Sequence, residues 1–344
     1  MSRRTKWRTV TPLLAILLLA GAGCRRGREP EGGGGDGAGG AARSGPPRPA
    51  SSVGAVAAEM RNVIFQIDPQ VELEIRRLRG ELTPTRKGEP PWFDDPGSFS
   101  LSIDEAEIAV TGPSMSALLN HYVFTGKDAP VKDVEIEIAD GKLSQKATLQ
   151  KKIPVHVLLE GDVSPTAEGD IRLHPTAIKA AGLPVKKLLD VFGVELDELM
   201  KAPRSQGVTV DGDDLILDPE KLLPPPRMRG KVTAVRIEGD RLVQVFGGGK
   251  ASTRSTRSTR STPSMPEAAN YMFFSGHDLA FGKLTMHGAD LQIVDDDPSD
   301  PFHFFLAKFS QQLVAGYSKT MPDKGLVSYM PDIDDVGKKK EGAR

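Results

Sequence analysis

Alternation of apolar and polar residues at period two most narrows what this chain can become. Val71, Leu73 and Ile75 alternate with Glu72, Glu74 and Arg76. Phe99, Leu101 and Ile103 alternate with serines and Asp104, Val134, Ile136 and Ile138 with Glu135 and Glu137, and Val155, Val157 and Leu159 follow. Successive side chains on a strand point to opposite faces, so these runs predict sheets with one apolar and one solvated face, hence antiparallel. Asp140-Gly141, Asp211-Gly212 and Glu238-Gly239 lie between paired runs and read as hairpin corners.

Helical spacing is rarer. Residues 113–124 place Met115, Leu118, Leu119 and Tyr122 on one face, with a proline in the first turn where it is tolerated. A short helix is predicted from Pro175 to Gly182, and a longer one from Pro184 carrying Leu188, Leu189, Phe192, Leu196, Leu199 and Met200. Late in the chain, Asp300 can cap a helix with Phe302, Phe305, Leu306, Phe309 and Leu313 on one face and Gly316 at its end. Apolar surface left in water costs about 25 cal/mol per Å². The expected fold is therefore α+β: a long, strongly curved antiparallel sheet wrapped around one or two amphipathic helices, with a C-terminal β-hairpin plus helix element.

The first 24 residues read as a secretory signal: Arg3, Arg4, Lys6 and Arg8 precede a short apolar run and then small residues. The chain's only cysteine, Cys24, ends "LAGAGC", which resembles a bacterial lipobox with Gly21 in place of the usual aliphatic residue. Acylation of Cys24 is the expectation, with cleavage after Ala22 as the alternative. Residues 25–52 are Gly, Pro, Arg and Ser and read as a disordered tether. Residues 53–246 form the expected main domain, 247–266 a Ser-Thr-Arg linker, 267–333 a strand and helix segment packing on that domain, and 334–344 a disordered basic tail. Without the signal, 41 basic residues face 46 acidic ones, a formal charge of −5 that argues against nucleic acid as a partner.

Signals for covalent chemistry are weak. Gly112-Pro113-Ser114-Met115-Ser116 begins like a nucleophile elbow but lacks its fifth glycine. The six histidines, His121, His156, His174, His277, His287 and His303, are scattered, and none stands at metal-ligand spacing beside a carboxylate. The cluster Asp295, Asp296, Asp297 and Asp300 reads as a solvated turn feeding a helix, with a structural calcium as the alternative. Trp92 and Phe93, on a proline-rich loop, are expected to plug the end of the sheet, the alternative being insertion at a bilayer interface. Phe304 falls off the predicted helical stripe, where it could line a cavity or meet a partner. No motif requires a cofactor or a metal, and the chain is not expected to be an enzyme.

Two segments, "GDIRLHPTAIKAAGLPVKKLLDVFGV" and "GVTVDGDDLILDPEKLLPPPRMRGKVTAVRIEGDRLVQVFG", together resemble the bacterial members of the tubular lipid-binding (TULIP) superfamily. The resemblance covers about Val63 to Gly247 and rests on the order of elements. The Ser-Thr-Arg linker and everything after Pro266 depart from that pattern. It implies a curved sheet around a helix, leaving an apolar slot for acyl chains. The implied slot residues are Ile178, Leu188, Leu189, Phe192 and Leu196, with Leu118, Leu119 and Tyr122 on the other helix. The implied function is lipid binding or transfer on the periplasmic face of a bacterial membrane, with a phospholipid or other acyl lipid as partner and Cys24 as anchor. The alternatives are an envelope scaffold lipoprotein that binds another protein through a sheet edge or aromatic patch, and an envelope hydrolase.

Overall fold

The computed structural model describes residues 53–127, 129, 131–150, 154–180, 183–184, 208–211, 214–222, 225–247, 268–322 and 325–338. Three long strands come first: β1 (Val56–Asp68), β2 (Val71–Pro84) and β3 (Phe99–Thr111). Helix α1 (Gly112–Leu118) leads to β4 (Val131–Ala139), β5 (Lys142–Leu149), β6 (Val155–Pro165) and β7 (Ile171–Ala180). Then follow β8 (Leu183–Pro184), β9 (Val208–Asp211), β10 (Asp214–Leu217), the single turn α2 (Pro219–Leu222), β11 (Arg227–Arg229), β12 (Val232–Glu238) and β13 (Arg241–Phe246). The C-terminal part holds β14 (Tyr271–Gly276), β15 (Leu279–Phe281), β16 (Leu284–Met286), β17 (Asp290–Asp295), β18 (Phe302–Phe305), α3 (Phe309–Ala315), β19 (Tyr317–Thr320) and β20 (Leu326–Met330).

Strand far outweighs helix, as an α+β chain of this pattern should, but the strands divide into two large sheets where the alternation suggested one. The larger has the order β12-β13-β3-β2-β1-β14-β17-β20-β19, with β11 beside β3 and β18 beside β1. The other runs β4-β5-β6-β7-β10-β9, with β8 beside β7. Pairing is mostly antiparallel; β1 with β18, β3 with β11 and β17 with β20 are the parallel exceptions. The hairpin between β4 and β5 turns on Asp140 and Gly141, at φ 52° and 72°. That is the pair of left-handed residues a two-residue turn demands.

The large sheet is creased. Against β3, β2 carries one extra residue at Arg76, and β3 carries one extra at Asp104. Each insertion moves the following side chains to the other face, so the inward set of β2 runs Leu73, Ile75, then Leu78 and Leu82. In β1 the change falls at Asn62, whose φ of 54° lies in the left-handed region. Asparagine tolerates that region better than branched or bulky residues do. On the outer face Arg76 reaches Glu238 at 2.8 Å, Glu74 at 2.9 Å and Glu107 at 3.1 Å, while Arg236 bonds Glu107 at 2.6 Å. Half-exposed pairs of this kind are each worth little, but they seal the polar side as a network.

Two expectations yield to tertiary pairing. Residues 175–180 are strand, not helix, because β7 is laddered to β6 throughout and to β10 over Ile171–Leu173. Pro175 lies beyond the β10 ladder and next to Thr176, the extra residue of a bulge in β7 against β6, a position where proline is tolerated in a sheet. Residues 302–305 are also strand: Phe302 and Phe304 are fully buried with His303 between them pointing elsewhere, which is period two. Only residues 309–315 of that predicted helix are α-helical. Near the C-terminus, Ile333–Asp335 form a short turn, and Lys338 bonds Asp335 at 2.9 Å.

The strand β14 pairs with β1 in register from Val56↔Gly276 to Arg61↔Tyr271. The C-terminal segment is thus built into the same sheet, and its Phe274, Phe302 and Phe304 are buried in the same core as β1, β2 and β3. Phe93 lies there too, with ring centroids 4.7 Å from Phe274 and 5.3 Å from Phe281. Offset and edge-on contacts of this kind add to the apolar burial of each ring. Trp92 beside it is 36% exposed.

Candidate functional site

The chain crosses between the two large sheets twice among the described residues, through α1 and through the stretch from Pro219 to Met228. Between these crossings the two apolar faces do not close fully, leaving a cavity of about 260 Å³. One wall is the large sheet, with Met60, Phe65, Ile75, Leu78, Ile108 and Phe246; the other includes Ile136, Leu143, Val163, Ile171 and Leu173. Met115, Leu118, Leu119 and Val123 line it from the α1 crossing, and Pro219, Pro225, Pro226 and Met228 from the other. Phe93 and Leu306 also reach it. No charged residue is among the described lining, and Gln145 and Gln244 are its polar members.

Local sequence explains how α1 presents this face. Thr111 caps the helix by accepting from the Ser114 N–H, and Pro113 occupies the first turn. Gly112 packs against β4 so closely that a Cβ there would lie 2.5 Å from the carbonyl oxygen of Ile136. The Ser116 hydroxyl donates to the Gly112 carbonyl and accepts from the Ile136 N–H, both at 2.8 Å. Asn120 bonds both backbone groups of Val134. The hydroxyl of Ser114 accepts from the Glu72 N–H at 3.2 Å. Ser114, the serine of the elbow-like motif, and Ser116, which replaces its final glycine, therefore both hold the helix to its neighbouring strands.

Of the residues singled out from sequence, Leu118 and Leu119 line the cavity. Tyr122 does not. The helix widens into a π-turn over Leu119–Val123, in which the Phe124 N–H donates to Leu119. The wider turn brings Val123 to the inner face in place of Tyr122. Tyr122 is instead half-exposed and donates to Asp68 at 2.6 Å. Burial and that carboxylate push its phenol up to about 12. Ile178 stands in β7 opposite Leu159. Cys24, Leu188, Leu189, Phe192 and Leu196 lie outside the described residues. Phe304 is fully buried in the core rather than exposed to a partner.

Gln145 was missed. It is 4% exposed, and its Nε2 has no hydrogen-bond partner. The signal was present in β5, where Leu143, Ala147 and Leu149 share the inward face and Gln145 interrupts them.

The remaining polar clusters have structural partners. His287 contacts the buried Asp278 at 2.9 Å, and His277 the Ala55 carbonyl at 3.0 Å. Asp295 is buried against the Asn270 amide and accepts from the Asp297 N–H. Among the described residues no group of three His, Cys, Asp or Glu stands where it could hold a metal ion, and no helix is long and apolar enough to cross a membrane. Compared with protein-family models, curated proteins and solved structures, the chain matches none, so its role must be argued from the cavity itself.

Proposed function

We propose that this protein binds the apolar chain of a lipid in the cavity between its two large sheets, without covalent chemistry. In this reading it is exported and held by an acylated Cys24 at the periplasmic face of a bacterial membrane. A distant relationship to the tubular lipid-binding proteins belongs to the same proposal. The observation that carries it is the cavity's uncharged, almost wholly apolar lining. Burial is worth about 0.8 kcal/mol per CH₂, so a chain of roughly eight carbons would gain about 6 kcal/mol before the cost of ordering it. At about 260 Å³ the space lies just below the usual range of ligand pockets and suits one chain rather than two.

The test is uptake of the neutral fluorophore N-phenyl-naphthylamine, together with native mass spectrometry of gently purified protein. Wild type should take up the probe and carry an acyl lipid, and Val163→Phe, which fills the cavity from β6, should lose both. A wild-type protein that binds neither refutes the reading.

A second reading, attachment to another envelope protein, is favoured by the sheet edge. All four residues of β19 are exposed, and Tyr317 stacks on Tyr329 with centroids 4.8 Å apart and Lys319 over both rings. An edge strand of this kind offers unpaired backbone groups to a partner strand. Photocrosslinking from Tyr317 tests it, and failure to yield one dominant adduct in cells would remove it.

A further inference from the structure

Of the two polar residues on the described lining, Gln145 is the one with a buried, unpartnered donor, which an alkyl chain cannot satisfy. Gln145 projects from the inward face of β5, its cross-strand neighbours being Ile136 and Leu159. All three residues are buried, Gln145 is part of the cavity lining, and its Nε2 has no hydrogen-bond partner. A buried amide N–H without an acceptor loses its hydration and gains nothing in return. Leucine or methionine would fill the same position at no such cost, so a glutamine among Leu143, Ala147 and Leu149 is the costlier choice unless something accepts from it.

We propose that Gln145 is the specificity determinant of the cavity, donating from its side-chain amide to the carbonyl oxygen of a neutral acyl ester. This rests on the lipid-binding reading above and narrows it to a ligand class. The absence of any charged residue on the described lining decides between oxygen-bearing ligands. Among the described lining residues a free carboxylate would find no cation to pair it, and would enter at a large desolvation cost. An ester presents an acceptor of matching strength and no charge. A charged headgroup would therefore remain outside while the ester and its chain enter.

The experiment measures displacement of N-phenyl-naphthylamine from full-length wild-type protein, Gln145→Met and Gln145→Leu by methyl octanoate, octanoate and nonane. Loss of one hydrogen bond corresponds to a change of about five- to tenfold, so both variants should bind methyl octanoate more weakly by that factor and nonane no more weakly than wild type. Octanoate should displace the probe less well than the ester from wild type. An independent readout is the infrared carbonyl stretch of bound methyl octanoate, which should be shifted to lower frequency in wild type and not in the variants. Unchanged ester affinity in both variants, or an unshifted carbonyl in wild type, overturns the assignment while leaving lipid binding intact. Preference for octanoate overturns the ester class. Should wild type bind no probe at all, the proposed function fails and this inference with it. Should both variants fail to fold, the infrared measurement on wild type alone decides.

Discussion

The side-chain amide of Asn62 donates to the side-chain oxygen of Asn270 at 2.7 Å, tying residues 208 positions apart at the point where β1 exchanges β14 for β18 as its neighbour. Asn270 in turn donates to Asp295 at 2.9 Å and to the Asp300 carbonyl, so one short chain of amides fastens the crease to the C-terminal segment. Asn62→Gly keeps the left-handed backbone but loses the bond, and should cost about 1 kcal/mol. Asn62→Ala loses the bond and strains φ as well, adding about 1–2 kcal/mol. Urea midpoints should fall in the order wild type, Gly, Ala.

Phe93 and Trp92 should behave oppositely although they are adjacent. Truncating the buried Phe93 to Ala opens the aromatic cluster and should cost about 3–5 kcal/mol. Trp92→Ala should cost well under that, roughly 1 kcal/mol, because the ring is more than a third exposed. Equal losses in chemical unfolding would mean that the loop is anchored by the wrong member of the pair.

Gly112 is where α1 comes closest to β4. Gly112→Ala would drive a methyl group into the Ile136 carbonyl and force the helix outward, at roughly 1–3 kcal/mol. Since α1 supplies Leu118 and Leu119 to the cavity, probe uptake should fall along with thermal stability. Full uptake at reduced stability would show that α1 is not a wall of the binding space.

Acid should stabilise one corner of the fold. Burial raises the Asp332 carboxyl to about 6 from an ordinary value of 3.8, aided by Asp295 and Asp300 and opposed by the bond from the His303 N–H. Above pH 6 the folded state carries a charge that the unfolded chain holds more cheaply. As pH falls from 6 toward 3.8, the folded state alone takes up the proton, so this group makes stability rise, on the order of 1 kcal/mol per pH unit. Burial raises Asp295 as well, which adds in the same sense. Asp332→Asn can still accept from His303 and should be at least as stable as wild type at pH 7, with the difference shrinking toward pH 5. A variant less stable than wild type at pH 7 by urea titration would contradict this.

What could be read in the residues were the local rules. The alternation around Val71, Phe99 and Val134 and the Asp140-Gly141 corner produce strands and a turn wherever they occur. Residues 302–305 were misread because Phe302, Phe305, Phe309 and Leu313 fit a helical stripe, yet Phe302 and Phe304 also fit period two, and pairing with β1 decided the matter. Residues 175–180 were misread for a similar reason, since Pro175 opens helices and edge strands alike. In α1 the stripe was right until the π-turn, whose extra residue no spacing rule shows, replaced Tyr122 by Val123. Gln145 was visible as one polar residue on an inward face, but only the facing sheet makes that face part of a cavity.

The placement of β1 also has a temporal consequence. Its partners on one side, β14 and β18, are made long after it, so a nascent polypeptide cannot complete its middle ladder until that distant segment has emerged. Until then β1 presents a bare row of amides and carbonyls, open to self-association. Folding should therefore be slow and late, in keeping with its high contact order. Fragments ending before Tyr271 should aggregate rather than fold.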